Sequence, residues 1–224
     1  EVLGQRVKIG AATQLVGDGG AAVGLGAFAP GSFVAVSGLR RADGSVAATR
    51  IESTATRDRV SVSGPLAANA RGVASIGALE IVTAGDDAPT VAIGRAAFVS
   101  GRLDAQGALR ADRVEPLAHF APAPARLSIE GFVQASSRDG FRTDLVEVDA
   151  SQLGAKAAVA APDTRVVVSG PVGADGRLVA ERIDVVTAEP PPARGVSATE
   201  QDQRFARRQS AFGAADQLAL AKPR

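Results

Sequence analysis

Between residues 166 and 183 the chain runs Val166-Val167-Val168-Ser169-Gly170-Pro171-Val172-Gly173-Ala174-Asp175-Gly176-Arg177-Leu178-Val179-Ala180-Glu181-Arg182-Ile183. The opening valines are β-branched and the run is short, which suits a strand. Ser169-Gly170 ends or kinks it, and Ala174-Asp175-Gly176 is a turn signal, because glycine takes positive φ without steric cost. Side chains alternate along a strand, so Leu178, Ala180 and Arg182 are expected on one face and Val179, Glu181 and Ile183 on the other. The stretch reads as a β-hairpin with a loop of several residues.

The same cassette occurs three times without a gap. It starts at Ser37, Ser100 and Ser169 and follows the pattern S-G-x4-[DQ]-G-x-[VL]-x-A-x-R-[IV]. A fixed period has to be read before any single element, since it sets the architecture. The recurring alanines, Ala48, Ala111 and Ala180, fit the crowded inside of a small barrel. Ile51, Val114 and Ile183 then fall on the opposite face by strict alternation. Either the strand is buried on both faces, or a bulge near the arginine resets the register.

A second hairpin precedes the cassette twice. Arg59 to Gly64 leads into residues 72–76 and 79–82, and Leu127 to Gly131 leads through Asp139-Gly140 to residues 145–148. Five short strands with glycine-rich turns and no convincing helix suit a small closed or partly open OB-type barrel, with a small sandwich as the alternative. The expected fold is therefore all-β: three tandem small OB-like barrels, the first incomplete, followed by a short helical or extended C-terminal tail. The expected boundaries are residues 1–58 for the incomplete repeat, 59–115 and 126–186 for the barrels, 116–125 for a proline-containing linker and 187–224 for the tail. The first repeat starts with Gln5 to Ile9 and lacks the leading hairpin strand. That strand is expected upstream in a precursor, or from another chain along an open edge.

The arrangement V-x-V-x-G, then Asp-Gly, then A-x-[RE]-[IV], resembles the bacterial domain of unknown function 5666 over roughly residues 1–184. The resemblance implies an OB-like fold, tandem arrangement and export to the periplasm, outer surface or extracellular space. It brings no catalytic residues. The second copy departs from the pattern at Gln106, which replaces the turn aspartate.

Composition narrows the function. The chain has 224 residues, no cysteine and a formal net charge of +1. Disulfide, thiolate and cysteine-metal chemistry are thereby absent. The charge balance argues against a duplex DNA binder, and the absence of Tyr and Trp argues against a stacking platform for single strands, so no nucleic-acid partner is expected first. No apolar run approaches the ~20 residues of a membrane-spanning helix. His119 is the single histidine and lies in a proline-containing link, without the partners a triad or metal site needs. Asp86-Asp87 and the turn aspartates lack the spacing of a calcium loop. Gly17-Asp18-Gly19-Gly20 lacks the strand, helix and lysine of a phosphate loop. No cofactor is expected.

Arg50, Arg113 and Arg182 recur at one cassette position and are the candidate ligand or interface residues. Their structural reading is a barrel-end arginine paired with an acid or lying over apolar surface; the functional one is a row of arginines for glycan or single-stranded nucleic acid. Beyond Val186 the character changes. Glu189-Pro190-Pro191-Pro192 is a stiff linker, and Ser197-Ala198-Thr199-Glu200 matches a helix capping box. Phe205, Phe212, Leu218 and Leu220 are candidates for docking the tail. The expectation is a non-enzymatic exported structural or protein-interaction module that meets a protein partner or itself, with strand or tail exchange as the route of assembly. The alternative is a ligand-binding module.

Overall fold

The computed structural model describes residues 1–55, 58–83, 91–117, 126–154 and 160–187. Residues 1–187 form one compact body.

The N-terminal segment holds β1 (Val7–Lys8), β2 (Gln14–Val16), β3 (Val34–Arg40) and β4 (Val46–Ser53). The first cassette is the β3–β4 antiparallel hairpin, and β1 and β2 lie parallel to β4 along its other edge. Between β2 and β3 the glycine-rich stretch forms short 3-10 turns at Asp18–Gly20 and Leu25–Ala27.

The middle segment adds β5 (Val60–Pro65), β6 (Ala67–Ala68), β7 (Ala74–Ile76), β8 (Leu79–Thr83), β9 (Ala96–Leu103) and β10 (Leu109–Pro116). Their order is β5-β9-β10-β8-β7-β6, with β8 and β10 parallel. Only Leu66 separates β5 from β6, so one bent strand bounds both ends of the path. Leu66, Ile76, Ala97, Val99 and Leu109 are buried to 1 % exposure or less and form the centre of this segment's core.

The C-terminal segment contains β11 (Arg126–Phe132), β12 (Ala135–Ser136), β13 (Gly140–Arg142), β14 (Glu147–Asp149), β15 (Arg165–Pro171), β16 (Leu178–Val179) and β17 (Arg182–Val185). The sheet β11-β15-β17 and the sheet β12-β13-β14-β16 share a second core around Val133, Phe141, Val148, Val166, Val168 and Leu178. Here too one pair, β14 and β16, is parallel.

The fold is thus mostly β-strand, with one nearly closed OB-like barrel, and helical structure among the described residues is confined to short 3-10 turns. Ser-Gly does not end the first strand of any cassette: β3, β9 and β15 run through it to Arg40, Leu103 and Pro171. The reason is steric. A Cβ on Gly38, Gly101 or Gly170 would overlap the carbonyl oxygen of Ala47, Arg110 or Val179 on the facing strand. Glycine lets that strand cross closely, so pairing continues.

Structure also decides how the second strand buries both its alanine and its branched residue. The ladder pairs Gly38 with Ala48 but Ser37 with Arg50, and Gly101 with Ala111 but Ser100 with Arg113. Thr49 and Asp112 are the extra residues of a β-bulge, which flips the alternation. Ala48 and Ile51 are consequently both buried. In the third cassette β16 and β17 break at Ala180-Glu181, the equivalent place.

Candidate functional site

The three recurring arginines lie on three different sheets, after the bulge in the first two cassettes and after the strand break in the third. Each is met by an acid two residues on along its own strand. Arg50 Nε lies 2.9 Å from Glu52 Oε2, Arg113 Nε 2.6 Å from Glu115 Oε1, and Arg182 Nε 2.7 Å from Asp184 Oδ2. Arg113 also stands over the Phe98 ring at 5.8 Å. Residues i and i+2 share a strand face, so the pairing follows directly from R-x-[ED]. The stripe is therefore charge-compensated, and its pairs are exposed enough to contribute little to stability.

The bulged residue is itself used in two cassettes. Asp112 pairs with Arg59 at the head of β5, and Glu181 pairs with Arg126 at the head of β11. The first cassette has Thr49 there, whose hydroxyl donates to the Ser37 carbonyl at 3.2 Å.

A polar seat that the cassette pattern does not predict holds the N-terminal segment against the other two. Arg40 is 7 % exposed and donates to the Gly44 carbonyl at 2.8 Å and the Ser63 carbonyl at 3.0 Å. Its own carbonyl accepts from Gln134 Nε2 at 2.7 Å. Arg41 forks onto Asp163, with Nε 3.0 Å from Oδ1, and its guanidinium lies 5.2 Å from the Phe132 ring centre. Burial lowers the Arg40 pKa and raises that of Asp144, and the opposite charges of the two partly offset both shifts. Gln5 completes the seat on the middle segment by donating to the Ile76 carbonyl at 2.6 Å. The one sequence signal for this was the Arg40-Arg41 doublet, present in the first cassette loop and absent from the loops at 102–104 and 171–173.

An open groove of about 690 Å³ lies on the C-terminal segment, over β12, β13 and β14. Ser136, Phe141, Arg142, Glu147, Asp149 and Arg177 line it. Arg177 reaches Glu147 at 3.2 Å, so the groove carries both signs. Among the described residues no group of three or more His, Cys, Asp or Glu could hold a metal ion. No helix among them is long and apolar enough to cross a membrane. His119, Asp86, Asp87, Phe205, Phe212, Leu218 and Leu220 lie outside the described residues.

The N-terminal segment differs from the others in how few apolar side chains it buries; exposed ones occur on all three, with Ile93, Leu103 and Val185 on the other two. Its buried apolar side chains are Val16, Ala48 and Ile51, while Ile9, Leu25 and Phe33 are 44 %, 56 % and 38 % exposed. The middle and C-terminal segments each have a core cluster of their own.

Residues 1–52 match the family model described as "Domain of unknown function (DUF5666)". The matched stretch spans β1 to β4, ending within the last strand of the first cassette hairpin. A search of curated proteins finds no match.

Proposed function

We propose that this chain is a non-enzymatic protein-interaction module built from tandem OB-type barrels and exported to the bacterial envelope or extracellular space. The tandem reading is supported by the shared plan of the middle and C-terminal segments. Each has a bent first strand, a meander, and a third strand parallel to the last, the strand order of an OB barrel. Export is what the cassette's resemblance to that family implies, and the family match at residues 1–52 supports the resemblance.

The observation that carries the interaction reading is the apolar exposure of the N-terminal segment. Three large apolar side chains stand half in water on a segment that has few buried ones, and burying them against a partner would stabilise that segment. The compensated arginines favour this reading over a basic ligand face.

Light scattering on the eluting full-length chain, with cross-linking mass spectrometry, tests the proposal. The expected result is a mass above 22.6 kDa that rises with concentration, or cross-links to an envelope protein through Ile9, Leu25 or Phe33 neighbours. A constant 22.6 kDa species without cross-linked partners sinks it. Fractionating cells that express the intact gene checks the compartment, and recovery in the cytoplasm rules out export.

A further inference from the structure

We propose that the outer edge of β3 is a strand acceptor. It takes an extended segment of a second polypeptide whose order is apolar, small, apolar, any residue, glycine, laid antiparallel to β3. This names the surface and the ligand of the interaction module, and rests on that reading.

The molecule supplies its own template. β9 is flanked by β10 on one side and β5 on the other, and β15 by β17 and β11. β3 is flanked by β4 alone among the described residues. β11 lies against β3, and Gln134 takes the Arg40 carbonyl, so the groups open to ladder pairing are those of Val34, Val36 and Gly38. Cassette equivalence puts Val36 where Val99 and Val168 stand, and Val34 where Ala97 and Val166 stand. The four covered residues are 0–1 % exposed. Val34 and Val36 are only half-buried, and Gly38 is exposed where Gly101 and Gly170 are buried. Covering strands make that difference.

The register follows from the same equivalence. Val60 faces Gly101 and Val62 faces Val99; Leu127 faces Gly170 and Ile129 faces Val168. An incoming strand on β3 thus sets its two apolar residues opposite Gly38 and Val36, with a small residue opposite Ser37. A one-residue slip would turn both apolar side chains to the wrong face. Charge sets a second rule. β5 and β11 are preceded by Arg59 and begin with Arg126, cations that meet Asp112 and Glu181 at the bulge. Thr49 occupies that place in the first cassette, so the ligand of β3 needs no cation there.

Fluorescence anisotropy with labelled peptides and the full chain tests this. The probes are Arg-Val-Ser-Val-Ser-Gly-Pro, the order found in residues 59–65, its analogue beginning with Gln, and the slipped order Arg-Ser-Val-Ser-Val-Gly-Pro. The first two are expected to bind saturably below about 1 mM and within twofold of each other, and the slipped peptide at least tenfold more weakly. Val36→Asp, checked for native circular dichroism, should abolish binding. Hydrogen exchange without peptide should show fast amides along the outer edge of β3.

Absence of binding, equal binding of the slipped peptide, or a strong preference for Arg over Gln overturns the proposal. Protected β3 amides in the free chain also overturn it, since the edge would then be covered by the chain itself. Self-association that persists in Val36→Asp overturns the edge assignment while sparing the interaction reading.

Discussion

The cassette glycines divide into two kinds. Gly38, Gly101 and Gly170 exist for room, because the facing strand's carbonyl occupies the place of a Cβ. Gly44, Gly107 and Gly176 exist for dihedral freedom, at φ of +78°, +82° and +79° with open space around them. Gly101→Ala or Gly170→Ala is expected to cost about 3 kcal/mol, because backbone has to move. Gly107→Ala should cost about 1 kcal/mol, the strain of a left-handed alanine. Urea unfolding followed by circular dichroism separates the two classes. Gly44 and Gly176 were legible from their Asp-Gly setting and Gly107 from the cassette repeat; the strand glycines were not, because only the facing strand reveals the clash. The departure at Gln106 also has a local account. Asp104 Oδ1 accepts from the amides of Gln106 and Ala108 at 3.0 Å, a turn-closing role that Asp43 and Asp175 play from the later position.

Acid should weaken the same loops. The Lys8 ammonium and Ser45 hold the Asp43 carboxyl well below its ordinary pKa, and the Arg41 guanidinium does the same for Asp163. A carboxylate with a lowered folded pKa contributes stability that is complete above its unfolded pKa, near 4, and lost as pH falls through the folded value. The thermal midpoint is therefore expected to drop below about pH 4, and to drop less in Asp163→Asn, as scanning calorimetry across pH would show. An equal drop in both proteins would remove Asp163 from the account.

On the scale of the strand, the bulge organises the cassette. It buries Ala48 with Ile51 and points the following arginine outward to its own i+2 acid. A conflict between strict alternation and two apolar residues three apart already pointed to a bulge or a two-sided strand. Which of the two holds needed the partner strand's register. Replacing Arg113 by Ala should change stability by less than about 1 kcal/mol, as exposed pairs contribute little. A larger loss in denaturant titration would mean that Phe98 under the guanidinium matters more than the ion pair. The short central strands were legible as apolar runs, while their ends shifted. Leu145 and Val146 sit in a turn before β14, where Thr143 Oγ1 accepts from both their amides. That side-chain bond offers the backbone an alternative to the ladder.

For the molecule as a whole, the seat at Arg40 and Arg41 matters most. Long-range polar contacts leave no periodic trace, so nothing in the cassette spacing reveals them. Arg40→Ala removes two charge-assisted hydrogen bonds, from a buried guanidinium to the carbonyls of Gly44 and Ser63. The expected cost is about 3 kcal/mol. Limited proteolysis should then cleave within residues 1–55 before it cleaves elsewhere. Cleavage at unchanged rates would show that Gln5 and the apolar contacts hold the N-terminal segment without Arg40.

Arg41 and Asp163 lie 122 residues apart. At ribosomal speeds of roughly 5–20 residues per second, about ten seconds separate the birth of the two partners. Throughout that interval Ile9, Leu25 and Phe33 have emerged while their segment's anchor has not been made. The nascent chain is stickiest early, and a holding factor or a waiting companion strand would find it then.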